Sequence, residues 1–306
     1  MGKNETPVLE EEKLSLAQAE LTVDFSKHQF RCHALGKIMT GVKAAGLTPK
    51  QEEYFQDLQA RDRGHGKPLT DKMKADYGDL LQKKFSKPTL SKTAISYIEQ
   101  LHKEALFGRD KEIYSKYLDK GLQVEEEGIS IYTEVTDSLF VKNKKRFKNA
   151  WFTGEPDNIQ GKVRDIKSSW DFDTFPMHAT EPPNDDNIWQ VQAYMHLTKL
   201  KSAEIIYVLV DTPDILINDF KRKTAWNLGK IDLPEELDQE IEFNMRYKDI
   251  PQELRVKVFH VEYDEQKIEM VKTQIKLARE HMNKLSLQFA EAIRSDGVIS
   301  ATVDGE

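Results

Sequence analysis

The sequence predicts a mixed α/β fold of the α+β kind, a central mixed β-sheet flanked by helices. Three observations carry that prediction. Residues 112–135 place apolar side chains at helical spacing, residues 150–169 read as two strands about a glycine turn, and residues 185–211 read as a helix followed by a strand. With the strand material that precedes residue 150, the order over 112–212 is α-β-β-β-α-β. A chain of 306 residues can bury a full core. One elaborated domain over 25–306 is expected, with an acidic arm over 1–24. Within it, 25–111 is a helical region, 112–212 the core, and 213–306 a strand-and-helix extension.

Composition narrows the function classes. Apolar residues make up 39% and charged residues 32%, which fits a soluble globular protein with a polar surface. The net charge of −7 argues against a surface coated everywhere with nucleic-acid contacts, yet it allows a local basic groove beside an acidic centre. Cys32 is the sole cysteine, so an intrachain disulfide and a cysteine-rich zinc or iron–sulfur site are excluded. No stretch nears the roughly 20 apolar residues of a membrane span. No basic segment leads into an apolar one at the N-terminus, so secretion is not expected and the cytoplasm is the natural compartment.

The elements follow in order. Glu10, Glu11 and Glu12 mark the acidic arm, with a short helix expected over 13–20. In FRCHALGKIMTGVKAAG, residues Leu35, Ile38, Met39 and Val42 recur at helical spacing, and Gly46 is a stop. Thr48, Pro49 and Gln51 make a helix start for a segment through Tyr54, Phe55 and Leu58 that ends before Gly64. The loop 64–69 lacks the spacing of a phosphate-binding P-loop. Helices follow at about 70–85 and 90–107. From Glu112 to Val135, the residues Leu118, Leu122, Glu125, Ile129 and Tyr132 form one helical face, which puts Glu125 on an apolar stripe. A carboxylate there is costly unless paired, or else it lies at the stripe's edge and reaches water.

Residues 139–153 read as strand material around a basic turn, VKNKKRFK, which carries Lys144, Lys145 and Arg146 among five cations. The run is either a solvated turn or an edge that contacts phosphates. The strand AWFTGEPD comes next, then a turn at Gln160-Gly161-Lys162, then the strand VRDIKSS. Asp157 and Asp165 are equidistant from Gly161, so a three-residue hairpin loop sets them opposite each other. Opposed Cβ atoms lie about 4.5–5.5 Å apart. Alternation puts Lys167 on their face and Ile166 on the other. Asp185 or Asp186 could cap the following helix, in which Gln190 and Tyr194 share a face. AEIIYVLVDTP is a strand that stops at Pro213. A basic and aromatic stretch follows (Lys221, Arg222, Lys223, Trp226), then an acidic stretch, the strand VKVFHVEYD, and a long amphipathic helix striped by Ile268, Val271, Ile275, Met282, Leu285 and Phe289.

Two opposed aspartates repel each other, and a divalent cation turns that liability into a site. Hard oxygen donors suit Mg²⁺ or Mn²⁺, and a neighbouring lysine could orient water or stabilise charge on a phosphoryl group. Taken alone, the D…DxK triplet reads more simply as a salt bridge. His178 and His196 read as polar surface.

The order of elements adds to the triplet. Pro156-Asp157, then Asp165-Ile166-Lys167, then Gln190-Val191-Gln192-Ala193-Tyr194, with Gly121 and Glu125 on the preceding helix, resemble the PD-(D/E)XK nuclease superfamily in its RecB and lambda-exonuclease (YqaJ-like) branch. FRCHALGKIMT resembles that branch's N-terminal element, with Cys32-His33 standing where many relatives have serine. The resemblance implies a restriction-endonuclease-like core and a metal-dependent DNA exonuclease acting at duplex ends in phage or bacterial recombination. It implies that Glu125, Asp157, Asp165 and the Ile166 carbonyl bind a pair of Mg²⁺ or Mn²⁺ ions and that Lys167 is the catalytic lysine. Gln190 and Tyr194 would then support the lysine or touch the scissile strand, and Arg31 would meet a 5′ phosphate. Duplex DNA ends, a single-strand annealing protein and a trimeric ring of copies are the partners implied, in a bacterial or phage-infected cytoplasm. An endonuclease of the same fold and a non-catalytic binding module are the alternatives.

Overall fold

A computed structural model describes residues 22–42, 47, 49–85, 87–109 and 116–296. Most of the acidic arm with its expected helix, the Gly46 stop, the Thr48 cap, the helix start at Glu112 and the C-terminal end beyond residue 296 lie outside the described residues. So do the side chains of Leu118 and Leu122.

In chain order the elements are β1 (Phe30–Arg31), α1 (Leu35–Met39), α2 (Pro49–Asp62), α3 (Asp71–Phe85), α4 (Lys92–Phe107), α5 (Lys116–Thr136), β2 (Phe147–Lys148), β3 (Phe152–Gly154), β4 (Val163–Ser168), α6 (Asp185–Thr198), β5 (Ser202–Val208), α7 (Asp214–Asn227), α8 (Glu235–Met245), β6 (Val256–Glu262) and α9 (Glu265–Asp296). The expected order helix, three strands, helix, strand runs from α5 to β5. The chain packs as two compact units. One holds the described residues of 1–28, 37–109 and 269–306, and the other those of 29–36 and 110–268.

The first unit is helical. Phe55 of α2 stacks on Tyr77 of α3, with ring centroids 5.2 Å apart. The Ser91 hydroxyl caps α4 by accepting from the Ala94 N–H, and Gly108 closes that helix in the left-handed conformation. The expected stripe of α9 is buried at Val271, Ile275 and Met282. His102 of α4 meets Ser286 Oγ at 3.1 Å and stacks on Phe289.

The second unit carries the sheets. Its strands fall into two three-stranded ladders rather than one continuous sheet. The orders are β1-β3-β2 and β4-β5-β6, each with one parallel and one antiparallel pairing. The strand expected over 139–153 is confined to β2 and β3. A 3-10 turn at Cys32–Ala34 leads into α1.

Helix α5 packs on the face of β4 that carries Ile166 and Ser168, close enough that a Cβ on Gly128 would touch both. Val124, Ile131, Tyr132, Phe140, Ile206, Val208 and Val210 form the core on that side. Helix α6 lies on the other face. It is buried almost all round, at Asn187, Gln190, Val191, Gln192, Ala193, Tyr194 and Met195. Its cap is Asn184, whose side chain accepts from the Asp186 N–H, so neither Asp185 nor Asp186 plays that part. Gly36 is required by close packing, because a Cβ there would sit 2.0 Å from Asp186 Oδ1. Among the described residues no helix is long and apolar enough to cross a membrane.

Candidate active site

Asp165 and Lys167 share the α6 face of β4 because strand residues two apart point the same way. In the ladder they sit beside Ile205 and Tyr207 of β5. Asp165 is 1% exposed. Lys167 Nζ stands 2.8 Å from Asp165 Oδ2 as an ion pair, in a geometry that leaves Oδ2 without a hydrogen bond. The lysine donates instead to Gln190 Oε1 at 3.2 Å. Gln190 Nε2 donates to Asp165 Oδ1 at 3.2 Å and to the Tyr194 hydroxyl at 3.0 Å. One amide therefore ties the lysine, the aspartate and the tyrosine together, using the i,i+4 spacing of α6.

Asp157 meets this group across the Gly161 turn. Asn158 and Arg164 form a single antiparallel bridge centred on Gly161, whose φ of 73° suits a residue without a Cβ. Counting one residue outward from that bridge brings Asp157 beside Asp165, but the expected hairpin of two strands does not form: β3 ends at Gly154, and Pro156 has no N–H to extend a ladder. Asp157 is held instead by the Ile166 N–H, which donates to its Oδ2 at 2.8 Å, and by the Asn143 N–H, which donates to its carbonyl at 2.7 Å. Ile166 thus fixes the Asp157 carboxylate through its N–H.

Electrostatics follow from two carboxyl groups in one buried space. Burial first, and then the Asp165 charge, push the Asp157 carboxyl up to about 7 against the pull of the Ile166 N–H and Lys167. Burial by itself would lower Lys167. Asp165 and Asp157 outweigh it and hold the ammonium above the usual lysine range, so it is cationic at neutral pH. Burial, reinforced by Asp165, raises the Tyr194 hydroxyl out of the ordinary tyrosine range and keeps it a neutral phenol. Tyr207 is also raised by burial, and its hydroxyl accepts from Asn187 Nδ2 at 2.7 Å.

Glu125 stands apart. The buried stripe of α5 runs through Lys120, Val124, Gly128, Ile131 and Tyr132, one residue off the expected line. Glu125 lies at its margin, with Oε1 2.8 Å from Lys142 Nζ, and Lys142 also reaches Glu126 at 3.4 Å. Among the described residues no three His, Cys, Asp or Glu side chains converge to hold a metal ion. The pair Asp157 and Asp165 nevertheless fits a hard divalent cation: the donors are oxygens, the like charges adjoin, and one carboxylate oxygen lacks a hydrogen bond. The Glu125 charge is near enough to raise Asp157 further.

The first sheet builds a basic face. Arg31 pairs with Thr153, and Thr153 pairs with Lys148, so both cations flank one residue on the same face. Arg31, Lys144, Lys145, Arg146 and Lys148 are exposed. Arg146 reaches Glu155 at 3.4 Å, and Lys145 lies 5.1 Å from the centroid of the Phe147 ring. Cys32 is buried and faces inward. A Cβ on Gly154 would lie 2.7 Å from its Sγ and 2.5 Å from Tyr194 Cε1. Burial pushes the Cys32 thiol far up, so it packs as an apolar side chain.

Sequence reasoning missed Asn158, Tyr207 and the engagement of Lys142 with Glu125, while Lys142 and Lys148 belong to the basic run VKNKKRFK without being singled out from it. His196 is not plain surface: its Nδ1 meets the Tyr263 hydroxyl at 2.8 Å.

No protein-family model matches the sequence, and no curated protein does. Solved structures do match. A phage-related exonuclease from Haemophilus somnus 129PT is 23% identical, with a TM-score of 0.56 over 85% of this chain and 96% of that one. An alkaline exonuclease from Laribacter hongkongensis is 11% identical, with a TM-score of 0.50 over 92% of this chain and 98% of that one. At these identities the likeness is one of fold, and the fold is the restriction-endonuclease-like α/β arrangement that these structures share.

Proposed function

We propose that this protein is a divalent-metal-dependent exonuclease that hydrolyses phosphodiester bonds from the ends of duplex DNA. The observation that carries the proposal is the buried network in which Gln190 ties Lys167, Asp165 and Tyr194 together while Asp157 faces Asp165 across the Gly161 turn. A core held only for stability gains little from two adjoining buried carboxylates. The likeness in fold to two exonucleases supports the reading.

Asp157 and Asp165 hold Mg²⁺ or Mn²⁺, in one or two ions, with Glu125 and the Ile166 carbonyl as further donors. Bound there, the ion supplies a polarised phosphoryl oxygen and a water of lowered pKa. Lys167, cationic and anchored by Gln190, stabilises negative charge developing on the phosphoryl group and orients the attacking water. Gln190 fixes that ammonium in place, and Tyr194 fixes Gln190. Arg31 takes a terminal phosphate, and Lys144, Lys145 and Arg146 contact the strand beside it. An assembly of several copies, a single-strand annealing partner and a role in phage or bacterial recombination in the cytoplasm complete the reading.

The test is digestion of end-labelled linear duplex beside closed circular duplex, with Mg²⁺ or with EDTA. Loss of the linear substrate alone, and only with metal, is expected. Cutting of the circle would make the enzyme an endonuclease, and no cutting of either would make the chain a binding module.

A further inference from the structure

Lys142 lies in a segment strapped on both sides to the loop that carries Asp157. On one side, the Val141 carbonyl accepts from Asn158 Nδ2 at 2.9 Å, and the Val141 N–H donates to Gln160 Oε1 at 3.3 Å. On the other, the Asn143 N–H donates to the Asp157 carbonyl at 2.7 Å, and Asn143 Nδ2 donates to the Pro156 carbonyl at 3.0 Å. Both neighbours of Lys142 are thus fixed to residues 156–160. The lysine side chain between them reaches across to α5, 2.8 Å from Glu125 Oε1 and 3.4 Å from Glu126 Oε1. Its side chain remains 39% exposed, and that of Glu125 29%.

This placement explains why the three carboxylates do not converge. Glu125 is engaged by an ammonium whose backbone is held against Asp157 itself. A pair this open to water binds weakly, whereas a doubly charged ion beside Asp157 and Asp165 attracts the same carboxylate more strongly. We propose that Lys142 is the displaceable counter-ion of Glu125, holding it apart from Asp157 and Asp165 until a divalent cation takes the carboxylate and frees the lysine. The inference rests on the reading of Asp157 and Asp165 as a cation site. Once free, Lys142 extends the basic run of Lys144, Lys145 and Arg146, so that cation loading and strand contact reinforce each other.

The test uses the full chain without DNA and reads Mn²⁺ binding by calorimetry and by the electron paramagnetic resonance of free Mn²⁺. Removing the competitor in Lys142→Met should tighten Mn²⁺ binding about three- to fivefold, the worth of an exposed ion pair. In a Glu125→Gln background the same substitution should change affinity by less than about 1.5-fold, because the cycle isolates the coupling between the two residues. Lys142→Gln is measured beside it, so that one misfolded variant does not decide the outcome. Unchanged or weaker binding on loss of Lys142, or tightening that persists without Glu125, overturns the proposal. Asp165→Asn separates the two readings. If it binds Mn²⁺ as tightly as wild type, the cation-site reading fails; if it loses binding while the Lys142 cycle is flat, only this inference fails.

Discussion

Gly154→Ala offers a perturbation whose size follows from the packing. The added methyl would sit 2.5 Å from Tyr194 Cε1, 2.7 Å from Cys32 Sγ and 2.9 Å from Cys32 Cβ. Ordinary carbon contacts lie near 3.5–4.0 Å, so each neighbour must retreat by about 1 Å. Neither yields easily. Cys32 is buried at the 3-10 turn beside β1, and Tyr194 is wedged in a helix buried on nearly every side. Overpacking of this kind costs about 1–3 kcal/mol. The consequence extends beyond stability, because the Tyr194 hydroxyl is one of the two acceptors that fix the Gln190 amide. A shift of about 1 Å there loosens the anchor of Lys167 and is expected to reduce hydrolysis about 10- to 100-fold. Urea denaturation followed by circular dichroism gives the stability change from the midpoint at constant slope, and single-turnover digestion gives the rate. A loss below about 0.3 kcal/mol, small beside the overpacking range, with an unchanged rate would refute both the tightness of this contact and its coupling to the site.

Other outcomes follow from the same geometry. Gln190→Leu strips the Lys167 ammonium of its acceptor and leaves Asp165 Oδ1 and the Tyr194 hydroxyl without their donor. A loss of about 2–4 kcal/mol in urea is expected, and wild-type stability would contradict the network. Asp157→Asn in EDTA should stabilise the protein at pH 8 by about 1–3 kcal/mol, because a carboxyl pushed up to about 7 loses folding stability as pH rises from near 3.8 through 7. A lower melting temperature for the variant would count against the paired-carboxylate account. Lys120, buried against the carbonyls of Trp170 and Val210 and the Thr212 hydroxyl, is lowered to about 8, chiefly by burial. Between pH 8 and 10.5 the unfolded chain binds the extra proton, so wild type should gain stability relative to Lys120→Met as pH rises through that window. A gap that stays constant between pH 7.5 and 10 would contradict the lowered value.

The arrangement at the centre of the candidate site was legible because it is local. The symmetry about Gly161 survives as the single bridge of Asn158 to Arg164, and strand alternation correctly put Lys167 beside Asp165. The i,i+4 spacing of Gln190 and Tyr194 was equally direct. Glu125 was misplaced because Lys120 is buried: a lysine within the true stripe hides it from any apolar pattern, and the neighbouring line through Ile129 and Tyr132 looks better. The engagement of Glu125 by Lys142 had no signal, since it depends on side-chain straps from Asn143 and Asn158 that no periodicity encodes. Helix α6 shows little amphipathic contrast because it is covered on almost all sides. The division into two ladders turns on Pro156, whose missing N–H ends β3 three residues before the aspartate. The exposed cations were visible as a run. The alignment of Lys148 with Arg31 required the pairing of both with Thr153, a contact that for β1 and β3 spans more than a hundred residues.

The most direct measurement compares wild type with Asp165→Ala and Lys167→Ala on end-labelled linear duplex in Mg²⁺, with DNA binding followed in parallel by fluorescence anisotropy. Metal-dependent release of label by wild type is expected, with its loss in both variants and binding that stays within about threefold, since neither residue carries a phosphate-positioning role. Digestion by purified Asp165→Ala at the wild-type rate would contradict the assignment of this site.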